Sequence, residues 1–161
     1  MRAAFEAGDL DLVLLWRDGE AASPGETMID LPMVWVGPES GYRLEAGVTL
    51  PLVAFEAPCL FRRAALAALD DAGIPWRMSF SSPSLTGLWA AVAAGLGVTV
   101  RTSRGLTPAL SPLDQVTSGL PTLPALSLSL LTSQGRSGGS AAERLAAVLR
   151  EAFTEERALR A

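Results

Sequence analysis

The 161-residue sequence contains no histidine and a single cysteine, Cys59. Without histidine the commonest metal ligand is missing, and so are the Ser-His-Asp and Cys-His arrangements of nucleophilic catalysis. One cysteine forms no internal disulfide and builds no cysteine-rich zinc site. These absences argue against an enzyme; no catalytic residue, metal site or cofactor is expected. Lysine is also missing, so all 13 basic residues are arginine. They are scattered, with Arg62-Arg63 the only adjacent pair. No basic stripe marks a nucleic-acid face, and a net charge of −4 gives little attraction for phosphate backbones. No apolar run approaches the ~18 residues of a membrane span. The opening "MRAAFEAGDLDL" has acids where a signal peptide needs an apolar stretch. The expectation is a cytoplasmic protein with no membrane partner.

What is present is enough for a packed domain. Apolar residues make up 49% of the chain and charged residues 19%, which excludes disorder as the main state. The 15 glycines and 11 prolines fall mostly between apolar runs and read as punctuation. "MRAAFEAGDL" reads as helix closed by Gly8, and a buried strand follows over Leu10–Trp16. Further strands are predicted over Leu31–Pro38 and Thr49–Phe55. "CLFRRAALAALDDAG" has apolar residues at helical spacing (Phe61, Ala65, Leu66, Leu69) with Gly73 as the stop. "WRMSFS" is a strand, Ser84 to Ala94 a helix ended by Gly95, and "LGVTVRT" a strand. Strand, helix, strand, helix, strand over residues 49 to 102 predicts right-handed crossovers and a parallel sheet. A Pro/Gly/Ser connection with one helical turn leads to the strand "LSLSLLTS", a loop over 133–140, and a last helix that Ser140 would cap.

The stretch "FSSPSLTGLWAAVAAGLGVTV" gathers Ser82, Ser84 and Thr86 just before a helix. In open α/β sheets ligands collect beyond the carboxyl ends of the strands, where loops lead into helices. Two such loops are readable: "FEAPC", Phe55 to Cys59, and "SSPSL", Ser81 to Leu85. A helix N-terminus favours a small anion, and serine and threonine add hydroxyl donors. The same serines also suit plain helix capping. The two readings are compatible, since one hydroxyl can cap while a neighbour meets a ligand. "GLGVTV" follows a helix and precedes a strand, the wrong polarity for a nucleotide-binding loop.

An ordered series of signals resembles the effector-binding domain of LysR-type transcriptional regulators. Gly8 and Asp11 in "GDLDLVL" resemble that family's Gly-x-x-Asp strand entry. "LPLVAFEAPCLFRRAALAALDDAGIPWR" resembles the strand, Cys-x-(Phe/Tyr)-Arg helix and Gly-Ile-Pro-Trp turn of one branch, the motility and virulence regulators of the LrhA/HexA kind. "SPSLTGLWAAVAAGLGVTVRT" resembles the helix and Ala-Gly-x-Gly strand entry that follow, and "GLPTLPALSLSLL" the returning strand.

The resemblance implies an α/β fold like the type II periplasmic binding proteins. Two Rossmann-like subdomains would be joined by two crossing segments, near Trp35 to Leu52 and near Leu123 to Leu130. Subdomain I would comprise residues 1–52 and 127–161 and be incomplete, its first strand, first helix and second strand falling before Met1. The strand Leu10–Trp16 would then keep an unpaired edge. Subdomain II would comprise residues 53–126. A small, anionic effector would bind in the inter-subdomain cleft, against Glu56, Pro58, Cys59, Ser82, Pro83, Ser84, Leu85 and Thr86, with Trp16 from subdomain I. Cys59 also suits a redox sensor or simple packing, and Arg62 would orient its loop or serve a dimer contact. The implied partners are an effector and another effector domain, as homodimer or hetero-oligomer. DNA would be reached only through an N-terminal winged helix-turn-helix, absent from these residues. A solute-binding protein of the same fold, cytoplasmic or exported, is the alternative. Another is a truncated regulator that only associates with full-length partners.

Overall fold

The computed structural model describes residues 2–18, 25–133 and 140–158. The chain divides into two compact units, Met1–Leu31 with Ala125–Ala161, and Pro32–Pro124.

In the first unit, α1 (Arg2–Ala7) ends at Gly8, whose φ of +84° suits glycine, and β1 (Leu12–Asp18) follows. Strand β1 runs antiparallel to β7 (Ala125–Thr132), from Leu12 opposite Thr132 to Asp18 opposite Leu126. The first half of β2 (Glu26–Pro38) lies on the other side of β7, so β1 is an edge among the described strands. Met28 and Ile29 are consecutive and both buried, so apolar groups cover both faces of this strand. Met28, Leu130 and Ala146 form one cluster, joined by Leu149 and Phe153 of α5 (Ser140–Ala158). Ile29, Leu31 and Leu128 form another. Sequence reading starts β2 five residues later, at Leu31, because "ETMID" looks like loop. Its partner β7 lies far along the chain; Ser127 Oγ, for example, donates to the Asp30 carboxylate. Most of the expected loop over 133–140, and the side chain of Ser140, lie outside the described residues.

In the second unit, the later half of β2 pairs antiparallel with β5 (Thr99–Thr102) and β6 (Leu110–Pro112). Strands β3 (Leu50–Ala54) and β4 (Trp76–Ser81) are parallel, joined by α2 (Leu60–Asp71). Helix α3 (Leu85–Ala93) then leads back toward β3. The expected third parallel strand joins through one bridge, Leu52 to Val98, before the chain continues as β5 beside β2. Two backbone bonds make that bridge, Val53 N–H to Val98 C=O at 2.8 Å and Val98 N–H to Pro51 C=O at 3.0 Å. Val36, Val53, Leu88, Trp89, Ala91, Val92 and Leu110 form the core here. The helical turn expected in the Pro/Gly/Ser connection is α4 (Gln115–Ser118), capped by Asp114 and closed by Gly119 in the left-handed region. Strand β6 has no sequence signal of its own.

The first changeover between the units is at Leu31–Pro32. Leu50 to Ala54 pair with Trp76 to Ser81, and Leu44 N–H bonds the Ser118 carbonyl, so residues 32–52 belong with the second unit. The second changeover is at Pro124–Ala125.

Candidate functional site

The site is built on the carboxyl ends of β3 and β4. Ala54 and Ser81 are paired across the two strands, so the loops that leave them start side by side. Ser82 N–H donates to the Ala54 carbonyl at 3.3 Å and ties the second loop to the end of β3. Both loops run directly into helices: Phe55 to Cys59 into α2, and Ser82 to Ser84 into α3.

The two helix starts are satisfied differently. Ser84 is the N-cap of α3, with extended backbone, and its Oγ accepts from Gly87 N–H at 3.4 Å. Ser82 Oγ accepts in turn from Ser84 N–H at 3.1 Å. Each serine therefore uses acceptor capacity on the backbone and keeps its hydroxyl proton to donate elsewhere. Cys59 is the N-cap of α2 and makes no side-chain capping bond. The first turn of α2 thus retains backbone N–H groups that no N-cap side chain covers. Arg62, in the first turn of α2, donates to the Phe55 carbonyl at 3.4 Å and ties the loop to the helix. The Ala57–Pro58 peptide is cis.

Eight of the nine expected residues lie on these two loops and helix starts. Glu56, Pro58, Pro83, Ser84, Leu85 and Thr86 are exposed, while Cys59 and Ser82 are half-buried. Leu85, at 44% exposure, is a large apolar side chain left open to solvent. Trp16, the ninth, belongs to β1 and packs, half-buried, on the cluster of Ile29, Leu31 and Leu128 in the first unit.

Sequence reasoning missed Arg101. It sits in β5, is only 7% exposed, and its guanidinium carbon lies 4.3 Å from the Phe55 ring centre and 4.8 Å from that of Phe61. Cation–π contact with two rings offsets part of the cost of burying the charge. Nη1 donates to the Val100 carbonyl at 2.9 Å, while Nη2 is buried with no hydrogen-bond partner. Burial pulls the Arg101 guanidinium below the usual arginine range, and the neighbouring Cys59 side chain pushes it back up. The available signal was one arginine inside the otherwise uncharged strand "GVTVRT".

An open groove of about 300 Å³, lined in part by Leu44, Val48, Ile74 and Pro75, lies at the other end of the same strands. Val48 and Pro75 stand just before β3 and β4 begin. This is the amino end of the parallel pair, where neither crossover helix starts. The hydroxyls, the uncapped helix and the buried cation are all at the carboxyl end, and that end is the better candidate.

The family model for the LysR substrate binding domain matches residues 1–154. The chain is 36% identical over 124 residues to the HTH-type transcriptional regulator PecT of Dickeya dadantii, covering 77% of this chain and 38% of PecT. Among solved structures, the bromide-bound regulatory domain of HypT from Salmonella typhimurium superposes with a TM-score of 0.73 at 16% identity, over 96% of this chain and 77% of that one. The CcmR regulatory domain of Synechocystis PCC6803, in complex with 2-PG, gives 0.68 at 15% identity, over 94% and 77%. These two likenesses carry the fold, the mixed α/β architecture of LysR regulatory domains. Among the described residues no helix is long and apolar enough to cross a membrane, and no cluster of His, Cys, Asp and Glu could hold a metal ion.

Proposed function

The chain belongs to the LysR substrate binding domain family, and from that we propose that it is the ligand-sensing part of a cytoplasmic LysR-type transcription regulator, with a small-molecule effector held at the carboxyl ends of β3 and β4. The observation that carries this reading is the joint departure of the two loops from the paired residues Ala54 and Ser81. It brings exposed Glu56, Pro58, Leu85 and Thr86 together with hydroxyls that still have protons to donate. CcmR in complex with 2-PG and HypT with bromide lend support, as relatives in fold whose regulatory domains were solved with a bound small ligand or ion.

The chain spans 38% of the length of PecT. DNA recognition is assigned to an N-terminal winged helix-turn-helix outside these 161 residues, and association to the effector domain, in a homodimer or with other full-length regulators. An effector that binds one conformation more tightly than another would shift the regulator between states, and equal affinity for both would shift nothing.

The test is a thermal-shift screen of the purified chain against small carboxylates, phosphates, aromatic acids and their neutral amides. A ligand at 100 times its Kd adds about 2.7 kcal/mol of stability. Ser84→Ala loses a cap, so the readout is the ligand-induced shift rather than the absolute Tm. The expected result is a saturable shift that Thr86→Val and Ser84→Ala reduce. A screen in which no compound shifts the chain overturns the sensor reading, and a hit indifferent to both variants moves the site off these loops.

A further inference from the structure

We propose that the chain pairs with a second copy of itself along the open edge of β1, across a twofold axis at Leu14, with the outer flanks of the two α5 helices meeting above the joined sheet. Among the described strands, β1 is paired on one side only, by β7. Its seven residues, "LVLLWRD", hold no glycine, proline or lysine, and its charges stand only at the end. Edge strands are commonly blunted by proline, lysine or a bulge, and an apolar edge without them invites a further strand.

The register follows from the bonds already made. Ser133 N–H donates to the Asp11 carbonyl at 2.9 Å, which extends the β1–β7 ladder by one pair beyond Leu12 and Thr132. In an antiparallel ladder, alternate residues aim their backbone groups at the partner. Asp11, Val13, Leu15 and Arg17 therefore bond toward β7, and Leu12 and Leu14 aim N–H and C=O at the open edge. A second β1 bonds there only where outward-aimed residues meet each other. Of the twofold axes that satisfy this, the one at Leu14 also sets Asp11 opposite Arg17 of the second copy, once on each side of the axis. These are the closer, non-hydrogen-bonded pairs, where opposite charges attract across strands. That complementarity selects a second copy as the occupant and fixes its register.

The helix above the sheet is bare on the same side. Arg150 of α5 reaches Glu26 of β2 at 2.7 Å and so marks the flank that faces β2. Leu145 and Val148 lie roughly opposite Arg150 around the helix, hence on the β1 side. They are 49% and 60% exposed, and exposed Ala141 and Ala152 continue the stripe at helical spacing. An axis perpendicular to the sheet at Leu14 turns this flank toward its copy on the same face. The open edge and the apolar flank are independent features, and one occupant covers both. The inference goes beyond the association assigned above, since it names the surface and the register, and it needs no effector. A chain that no ligand shifts can still dimerise, and a monomeric chain can still bind a ligand.

The test is analytical ultracentrifugation of the full chain, with circular dichroism to check that each variant folds. The expected species has twice the chain's 16.8 kDa and dissociates on dilution. Asp11→Arg sets two arginines against each other and Arg17→Glu sets two acids, so each alone should raise the dimer Kd on the order of tenfold. An equal mixture of the two variants should recover the wild-type Kd, because both contacts in the mixed dimer are again opposite in sign. Leu145→Glu, on the exposed flank, should also raise the Kd. In a Cys59→Ser background, Asp11→Cys mixed with Arg17→Cys should give a disulfide-linked dimer on mild oxidation. Neither should do so alone, because like positions lie about 20 Å apart along the strands. A chain that stays monomeric to millimolar concentration overturns the proposal. So does a dimer that neither charge variant weakens, a mixture of folded variants that fails to recover, or a cysteine mixture that does not cross-link. If Leu145→Glu leaves the Kd unchanged, the helix flank is no part of the contact and that half of the proposal falls.

Discussion

A Cβ placed on Gly97 would stand 2.2 Å from the Pro51 carbonyl oxygen and 2.8 Å from its carbon. That carbonyl is the acceptor for Val98 N–H, half of the bridge that joins the strand after α3 to β3. Gly97 also has a φ of +155°, where a side chain is strained whatever the space. Strain and clash fall on backbone that cannot move without losing the bridge. Gly97→Ala should therefore cost about 3 kcal/mol or more in urea unfolding. Gly41, which also has a positive φ but open space around it, is the comparison: Gly41→Ala should cost only about 1 kcal/mol. Equal costs at the two sites would mean that backbone conformation alone, and not close approach, fixes Gly97.

Trp35 is 1% exposed, and its indole N–H donates to the Pro121 carbonyl at 2.8 Å. The residue thus pins the segment before Pro124 to β2 within the second unit. Trp35→Phe keeps an aromatic ring and removes the donor, so it should cost about 2 kcal/mol through the lost bond and a small void. Trp35→Leu removes more volume and should cost about 3–5 kcal/mol. Chemical denaturation followed by circular dichroism separates the two. A Trp35→Phe protein as stable as wild type would show that the Pro121 bond contributes nothing.

Local signals were legible wherever local chemistry decides the outcome. Gly8, Gly73 and Gly95 close helices with positive φ, as their places after apolar periodic runs suggest. Ser84 caps α3, and β3, α2, β4 and α3 fall within a residue or two of the expected bounds. The choice between capping and ligand binding at Ser82 and Ser84 has a local answer too: both oxygens serve the backbone, and only their protons are left for a ligand. Features set by distant partners were not legible. The first half of β2 is strand because β7, far along the chain, lies beside it. Three-residue β6 exists because β2 is there to pair with it. Arg101 was lost in the count of scattered arginines, since all four residues of β5 are buried and a buried strand shows no alternation to make one charge conspicuous. Trp16, expected at the site from the family pattern, packs half-buried on Ile29, Leu31 and Leu128 in the first unit.

Tyr42 is the only tyrosine, which makes its ionisation easy to follow at 295 nm. Burial raises it above the ordinary 10.0, and the Glu45 carboxylate adds to the shift. A group whose folded value is raised contributes stability that is present below the unfolded value and lost as pH rises through the folded one. The spectrophotometric midpoint should lie above 10, and the chain should lose stability above that pH. Glu45→Gln should lower the midpoint part of the way, because burial is the larger cause. A midpoint at 10.0 in the folded chain, or a Glu45→Gln midpoint equal to wild type, would contradict the respective cause.

Asp114 caps the short helix α4 through its carboxylate, which accepts from Thr117 N–H at 2.9 Å and from Thr117 Oγ1 at 3.1 Å. The Thr117 backbone bond is the largest cause that holds the Asp114 carboxyl below its ordinary 3.8, followed by the Thr117 side-chain bond. The sign is opposite to that of Tyr42: the contribution is present above the unfolded value and lost as pH falls through the folded one. Carboxyl titration by NMR should give a midpoint under 3.8, and the Thr117 amide should shift upfield over the same pH range as its bond weakens. Thr117→Val removes the hydroxyl but not the backbone donor, so it should move the midpoint only part of the way back. Asp114→Asn separates capping from charge. An amide oxygen accepts the same N–H bond and caps nearly as well, so α4 should persist while the Thr117 amide loses its acid titration. If the amide still titrates in Asp114→Asn, the proton that opens this cap lies on another group.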